Sequence, residues 1–305
     1  MQKYSIFNLV KNAFSGHQNW DLAWKDPTPK KEYDVVIIGG GGHGLATAYY
    51  LAKEHNITNV AIIEKGWIGG GNVGRNTTII RSNYMHDDNA LFSEFGMDLW
   101  RKMSQDLNYN VMFSPRGIIN LAHSDAQMNV YARRGNSMRL NGIDAVLLNR
   151  EQVKEIIPMA DFSENVRFPI FGGLMQPSAG TARHDAVAWG YARQADSMGV
   201  DIIQNCEVTG FDVSGGKING VRTSRGDIKV KKIGLCVAGS TNILADKLNM
   251  TLPIETHLLQ ACVSEPVKPI LDRVVTFGAG HFYISQSDKG EMVMGGDLDG
   301  YNSYA

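Results

Sequence analysis

Gly39, Gly41 and Gly44 stand in a G-x-G-x-x-G spacing, directly after the apolar run "VVII" and directly before an Ala-rich stretch. Between a strand and a helix this spacing is phosphate chemistry. The first glycine permits a tight turn, the second lets the backbone approach a pyrophosphate, and the third lets helix pack on strand. The unpaired N–H groups and the dipole of the helix start then favour the anion. Glu64 ends a second apolar run about 20 residues past the last glycine, where a carboxylate accepts both ribose hydroxyls and disfavours a 2′-phosphate. A different chemistry is offered by His184, set between Arg183 and Asp185 in "GTARHDAVAWGYAR". A neutral imidazole is a good nucleophile near physiological pH. On the segment alone, a lone histidine at a helix start is more often an ordinary polar residue.

The elements that position these residues follow from the pattern. "YDVVIIGGGGHGLATAYYLAKEHNITNVAIIEKG" reads as strand, glycine turn, helix and strand, beginning at Tyr33 after the Pro- and Lys-containing linker 26–34. A second Gly-rich loop, "GWIGGGNVGRNTTIIRSNY", follows Glu64 at once. It lets backbone pass close to a long cofactor, with Arg75 and Asn72 available to phosphate or flavin oxygens. NAD dehydrogenases continue instead into another alternating βα unit, so FAD is favoured. Residues 86–171 are irregular and largely helical in pattern, with "NALFSEFGMDLWRKMSQDL" and "DAQMNVYARRGNSMRLNG" as the best helices. This stretch reads as an insertion.

Sheet character returns with "GGLMQPSAG", then a helix over 183–198 and a strand "VDIIQNCEVTGF". "GKINGVRTSRGDIKVKKIGLCVAGS" predicts three short strands and a βα turn at 238–240, and the final block predicts a meander turning at 288–290. The fold class expected is α/β: a Rossmann-like FAD-binding domain interleaved with a sheet-based substrate (cap) domain. Its boundaries are an N-terminal arm 1–30, FAD-binding segments 31–85 and 172–252, and substrate-domain segments 86–171 and 253–305.

Composition narrows the function classes. A net charge of -1 argues against a nucleic-acid surface, which needs a concentrated excess of Lys and Arg. No apolar run approaches spanning length, so no membrane partner is expected. The start lacks the apolar core and cleavage site of a secretory signal. Cys206, Cys236 and Cys262 are widely separated in apolar surroundings, which opposes a disulfide framework or a metal cluster and fits a cytoplasmic location. Phe7, Val10 and Phe14 recur at helical spacing and predict an arm packed on its own domain or on a partner subunit, in preference to a membrane-surface helix.

"VVIIGGGGHGLATAYYLA", "VAIIEKGWIGGGN", "RNTTIIRSNY", "TARHDAVAWGYAR" and "VDIIQNCEVTG" together resemble the β subunits of heterotetrameric sarcosine oxidases, within the wider D-amino-acid-oxidase-like flavoenzyme family. The resemblance implies noncovalent FAD contacts at Gly39, Gly41, Gly42, His43, Gly44, Glu64, Asn72, Thr77 and Ile79, with Val208 bonding through its backbone beside the adenine. It implies that Arg81 grips the substrate carboxylate, a task suited to a planar, permanently charged guanidinium. A salt-bridged structural arginine is the competing reading.

The resemblance also implies that His184 carries FMN covalently; beside it Arg183 is available as an FMN phosphate ligand or a cation steadying the flavin, and Asp185 either orients the ring or simply favours the positive end of the helix dipole. The implied reaction is oxidative demethylation of sarcosine, an N-methyl amino acid, to glycine and a one-carbon unit, with electrons passing from FAD through FMN to oxygen as hydrogen peroxide. Implied partners are an α subunit that binds NAD and tetrahydrofolate, and small γ and δ subunits.

Relatives of this family carry a C-terminal segment with a further Gly-rich turn and a lysine near the flavin ring. Neither is found before Ala305, so the substrate domain is expected to be truncated, and Val293 stands where monomeric amine oxidases place a lysine. Trp189 is expected in a core or subunit interface, and His257 and His281 are left outside the site. Two further readings stay open: an oxidase or dehydrogenase of another secondary or N-methylated amino acid such as dimethylglycine or an opine, and a non-catalytic flavin-binding electron-transfer subunit.

Overall fold

The computed structural model describes residues 6–18, 22–278 and 282–298. The chain divides into two compact units, Met1–Gly74 with Val187–Ile254, and Arg75–Ala186 with Glu255–Ala305.

The first unit opens with α1 (Ile6–Phe14), whose apolar residues face outward: Phe7 is 81% and Phe14 89% exposed. Packing of this arm on its own domain, one of the two expectations, is therefore not found. The linker after it is tied to its unit by the Asp26 carboxylate, which accepts from the Gln204 N–H at 3.1 Å and pairs with Arg225 at 3.2 Å. Next come β1 (Glu32–Ile38), α2 (Gly42–His55) and β2 (Val60–Ile63). In α2 the buried residues Gly44, Leu45, Ala48, Tyr49 and Ala52 repeat at three- and four-residue spacing, so one face packs on the sheet. The helix ends where Asn56 takes a left-handed conformation at φ 54°.

The second unit takes up the chain with the two-residue β3 (Ile79–Ile80), followed by α3 (Asp87–Asp106), β4 (Ile118–Ala122), α4 (Asp125–Leu140), β5 (Val146–Asn149) and α5 (Arg150–Ile156). Both expected helices of the insertion form. Ser124 caps α4 by accepting from the Gln127 N–H, and Asn149 with Gln152 makes a reciprocal capping box for α5. The insertion is less helical than its pattern implies, because the short apolar runs of β4 and β5 are strands of a large sheet. β6 (Gly172–Gln176) and β7 (Gly180–Thr181) follow, and β7 pairs antiparallel with β3, setting Ile79 opposite Thr181.

The chain returns to the first unit along α6 (His184–Ser197) and continues through β8 (Asp201–Ile203), β9 (Val208–Ser214), β10 (Lys217–Thr223), β11 (Gly226–Leu235) and α7 (Thr241–Asp246). Two expectations are corrected here. "VDIIQNCEVTGF" is two strands at opposite edges of one sheet, and the three short strands of the next segment are the two longer strands β10 and β11. The six strands run in the order β8-β2-β1-β11-β10-β9, parallel from β8 to β11 and antiparallel beyond. Parallel strands covered on both faces need unbroken apolar runs, and all four residues of β2 are buried.

The last strands, β12 (Leu259–Pro266), β13 (Val274–Phe277), β14 (Phe282–Gln286) and β15 (Glu291–Leu298), belong to the second unit. They complete a seven-stranded sheet in the order β12-β15-β14-β13-β4-β6-β5. The β14–β15 hairpin turns where expected. β13, which carries no strong pattern, was not anticipated, and it pairs parallel with β4 from Val274 opposite Ile118 to Phe277 opposite Leu121. Because β6 and β7 bond inside this unit, residues 75–85 and 172–186 lie here instead of with the dinucleotide fold as expected.

Candidate flavin site and its relatives

The glycine turn lies at the carboxyl ends of the parallel strands, where open α/β sheets place their ligands. Gly39 adopts φ 106°, and a Cβ there would lie 2.3 Å from the Cys236 carbonyl oxygen. A Cβ at Gly44 would lie 2.0 Å from the Gly39 carbonyl oxygen, so the helix start and the strand end touch through backbone. Gly41 differs: the nearest atom to a Cβ there, on Val73, is 3.8 Å away. The first and third glycines are thus required by packing. The second faces room.

Gly41 also occupies the N-cap of α2 with no side-chain cap bond. The first N–H groups of the helix therefore meet no capping side chain and are oriented to receive an anion. Glu64 closes the turn from the next strand. Its Oε2 accepts the Gly40 N–H at 2.7 Å and its Oε1 accepts the Gly66 N–H at 2.8 Å. A carboxylate offers about four lone-pair sites, so each oxygen keeps one for a ribose hydroxyl. This cradle fits FAD.

Other expected FAD contacts are distributed along the chain. Gly42 and His43 open α2; the His43 side chain is exposed and its carbonyl accepts from Thr47 Oγ1 at 2.7 Å. Asn72 begins a single 3-10 turn with Arg75, and both are exposed. Val208 is the first residue of β9, the outer strand of the six-stranded sheet, which leaves one side of that strand's backbone without a strand partner among the described residues.

In the second unit Thr77 is half-buried and precedes Thr78, a β-branched residue at φ 66°. That conformation costs on the order of 1–3 kcal/mol. It is held by the Asn76 side chain, which accepts from the Thr78 N–H at 2.5 Å, and by the Ala182 N–H, which donates to the Thr78 carbonyl at 3.2 Å.

Just beyond β3, the Arg81 Nη1 donates to Asn83 Oδ1 at 2.6 Å, and its guanidinium lies 4.7 Å from the centre of the Tyr84 ring. Among the described residues no carboxylate pairs with it.

His184 is the first residue of α6, half-buried, with no hydrogen bond to its ring among the described residues. Arg183 is clamped between two carboxylates, its Nε 3.1 Å from Asp185 Oδ1 and its Nη1 3.1 Å from Asp288 Oδ2. Asp185, in the first turn of α6, also accepts the Ala186 N–H at 2.8 Å, and no hydrogen bond joins it to the His184 ring among the described residues. Trp189 is 38% exposed and lies outside the core. His257 sits 3.6 Å from Glu255 at the surface, and His281 lies outside the described residues. Val293 lies in β15 opposite Ser285. Among the described residues no helix is long and apolar enough to cross a membrane, and the three cysteines are unpaired.

Fold and cradle together define a flavoprotein oxidoreductase, and residues 34–304 match the family of FAD dependent oxidoreductases, to which the chain belongs. It is 61% identical over 303 residues to the sarcosine oxidase subunit beta of Rhizobium meliloti (strain 1021), covering 99% of this chain and 73% of that one. The corresponding subunit of Rhodobacter capsulatus is 52% identical over 100% of this chain and 73% of its own length. Within the oxidoreductases, the chain belongs to the sarcosine oxidase β-subunit family. Among solved structures it is similar to L-proline dehydrogenase from P. horikoshii, with TM-score 0.84 and 26% identity over 91% of this chain and 73% of that one. Glycine oxidase from Bacillus cereus shares the fold at TM-score 0.74 and 22% identity, over 88% of this chain and 71% of that one.

Proposed function

We propose that this chain is the amine-oxidising subunit of a two-flavin oxidase that demethylates sarcosine or a similar N-methyl amino acid to glycine and a one-carbon unit. The observation that carries the reading is Arg81: a half-buried guanidinium without an acidic partner among the described residues, in a chain with an FAD cradle. A substrate carboxylate supplies the missing anion and takes a charge-assisted, bidentate grip.

Gly39, Gly41, Gly42, His43 and Gly44 would receive the FAD pyrophosphate at the start of α2, and Glu64 the ribose. Asn72, Thr77, Ile79 and Val208 would make the remaining contacts. When bound, FAD would supply the hydride acceptor, and FMN would supply a route for the electrons to oxygen, reducing it to hydrogen peroxide. The FMN would be attached to His184, whose ring nitrogens are free of other partners among the described residues, with Arg183 alongside.

The residues of this chain bind and orient: Arg81 fixes the carboxylate, and with it the position of the amine and its methyl group. Oxidation of the C–N bond to an imine, followed by water, releases the one-carbon unit. The relatives' designation as subunit beta supports assembly with further subunits, here an NAD- and tetrahydrofolate-binding α subunit and small γ and δ subunits in a cytoplasmic heterotetramer serving sarcosine catabolism and one-carbon metabolism.

The test is anaerobic mixing of the purified oxidase with sarcosine while following flavin absorbance. Bleaching by sarcosine, and weaker bleaching by dimethylglycine or an opine, is the expected result. Preference for one of the latter would reassign the substrate, and no bleaching by any of them would leave an electron-transfer subunit.

A further inference from the structure

Asn83 is 1% exposed and joins two arginines. Its side-chain Oδ1 accepts from Arg81 Nη1 at 2.6 Å, and its backbone carbonyl accepts from Arg134 Nε at 2.6 Å and also from Arg134 Nη2. The second arginine comes from α4, so the contact reaches across 51 residues of sequence. Neither guanidinium pairs with a carboxylate among the described residues. The nearby acid Glu94 is committed elsewhere, to Ser82 Oγ at 2.6 Å and to Arg101 at 3.0 Å.

Two like charges held close together and away from water are costly unless an anion joins them. Burial first, and the charge of Arg81 second, lower the pKa of the Arg134 guanidinium. An arginine stays protonated through such a shift. A third donor adds to this imbalance. Asn83 Nδ2 is buried with no hydrogen-bond partner among the described residues, and native structures leave few such groups unsatisfied.

The connections have a direction. Arg134 forks onto the Asn83 carbonyl and fixes that residue, and the Asn83 side chain then holds Nη1 of Arg81. The Tyr84 ring lies beside the Arg81 guanidinium. With Nη1 occupied, the remaining N–H groups of Arg81 are those left for a carboxylate.

We propose that Arg134, acting through Asn83, is the positioning residue for Arg81, and that its uncompensated charge makes this site select amino acids over amines that lack a carboxylate. The inference rests on the reading of Arg81 as the carboxylate grip. Arg134 acts through its contact with the carbonyl of Asn83, so its removal is felt as lost discrimination for anions.

The experiment uses the purified holo-oxidase and two probes, acetate and its neutral counterpart acetamide, each titrated while the flavin spectrum is recorded. Arg134→Gln is expected to raise the acetate dissociation constant at least tenfold and leave that of acetamide unchanged, with Arg134→Lys in between. Asn83→Asp, which puts a carboxylate of the same shape against the Arg81 guanidinium, is expected to abolish acetate binding while the melting temperature stays at or above wild type.

Acetate affinity unchanged in Arg134→Gln, or acetate and acetamide weakened alike, overturns the inference. If Arg134→Gln does not fold, Asn83→Asp decides, and undiminished acetate binding there overturns it. A wild-type protein indifferent to acetate, or an Arg81→Ala variant that binds acetate normally, fails the Arg81 reading first and this inference with it.

Discussion

The Glu64 carboxylate accepts the backbone N–H of Gly40 at 2.7 Å, so the acid at the end of β2 braces the glycine turn, and the proposed function makes the same carboxylate the ribose ligand. Two roles in one side chain separate on substitution. Glu64→Gln keeps an acceptor oxygen but not both, and Glu64→Ala leaves the Gly40 and Gly66 donors unpaired. Unpaired donors of this kind cost about 1–3 kcal/mol each when buried, and these sites are half-buried. We expect FAD affinity to fall in both variants, more in Glu64→Ala, with flavin linked to His184 retained. FAD titration of the apoprotein checks this, and unchanged occupancy would refute the ribose role.

The glycines of the turn are expected to fail in different ways. Gly44→Ala must place a methyl 2.0 Å from the Gly39 carbonyl oxygen, a backbone atom that cannot yield without moving the strand end. We expect a destabilisation on the order of 3 kcal/mol or more, seen in denaturant melts. Gly41→Ala meets only Val73 at 3.8 Å and is expected to fold with near-normal stability while binding FAD poorly. Equal stability losses in the two would contradict the division between packing and cofactor approach.

Arg81→Ala removes the guanidinium proposed to grip the substrate carboxylate. The apparent affinity for acetate-like inhibitors is expected to weaken by on the order of 2 kcal/mol, roughly thirtyfold, in an inhibition assay. Ordinary affinity would return Arg81 to a purely structural role beside Tyr84.

A pH effect on stability is expected from His123. It is buried, with its ring centroid 4.2 Å from that of Phe277, and burial lowers its pKa from the usual 6.5, against hydrogen bonds to the Pro169 and Phe168 carbonyls. The unfolded chain therefore binds the proton more readily. Stability is full above pH 6.5, declines as the pH falls below it, and levels off once the lowered folded pKa is passed. Thermal melts from pH 8 to 5 are expected to show a steeper decline for wild type than for His123→Phe; parallel curves would exclude the effect.

The parts legible in the sequence are those whose chemistry is local. The G-x-G-x-x-G turn, Glu64 and the helix after the glycines each declare themselves within a few residues, because a tight turn and an apolar strand leave strong patterns. The pairing of β3 with β7 was not legible: four residues, Ile79, Ile80, Gly180 and Thr181, carry no period, yet they join the short strand before Arg81 to the one before His184. The split of "VDIIQNCEVTGF" failed for a related reason. Both halves are apolar, and only the sheet order shows them at opposite edges. Arg134 was missed altogether, since one arginine in a helix of mixed charge has no signature, and its partner Asn83 lies 51 residues away. Asp288 likewise reached Arg183 only through the hairpin that carries it.

The most direct test of the two-flavin account is acid precipitation of the purified oxidase, comparing wild type with His184→Ala. The account expects yellow flavin to stay with the wild-type pellet and to be absent from the variant pellet, with FAD released into solution from both. Flavin released completely from wild type would contradict covalent attachment and leave His184 as the polar first residue of α6.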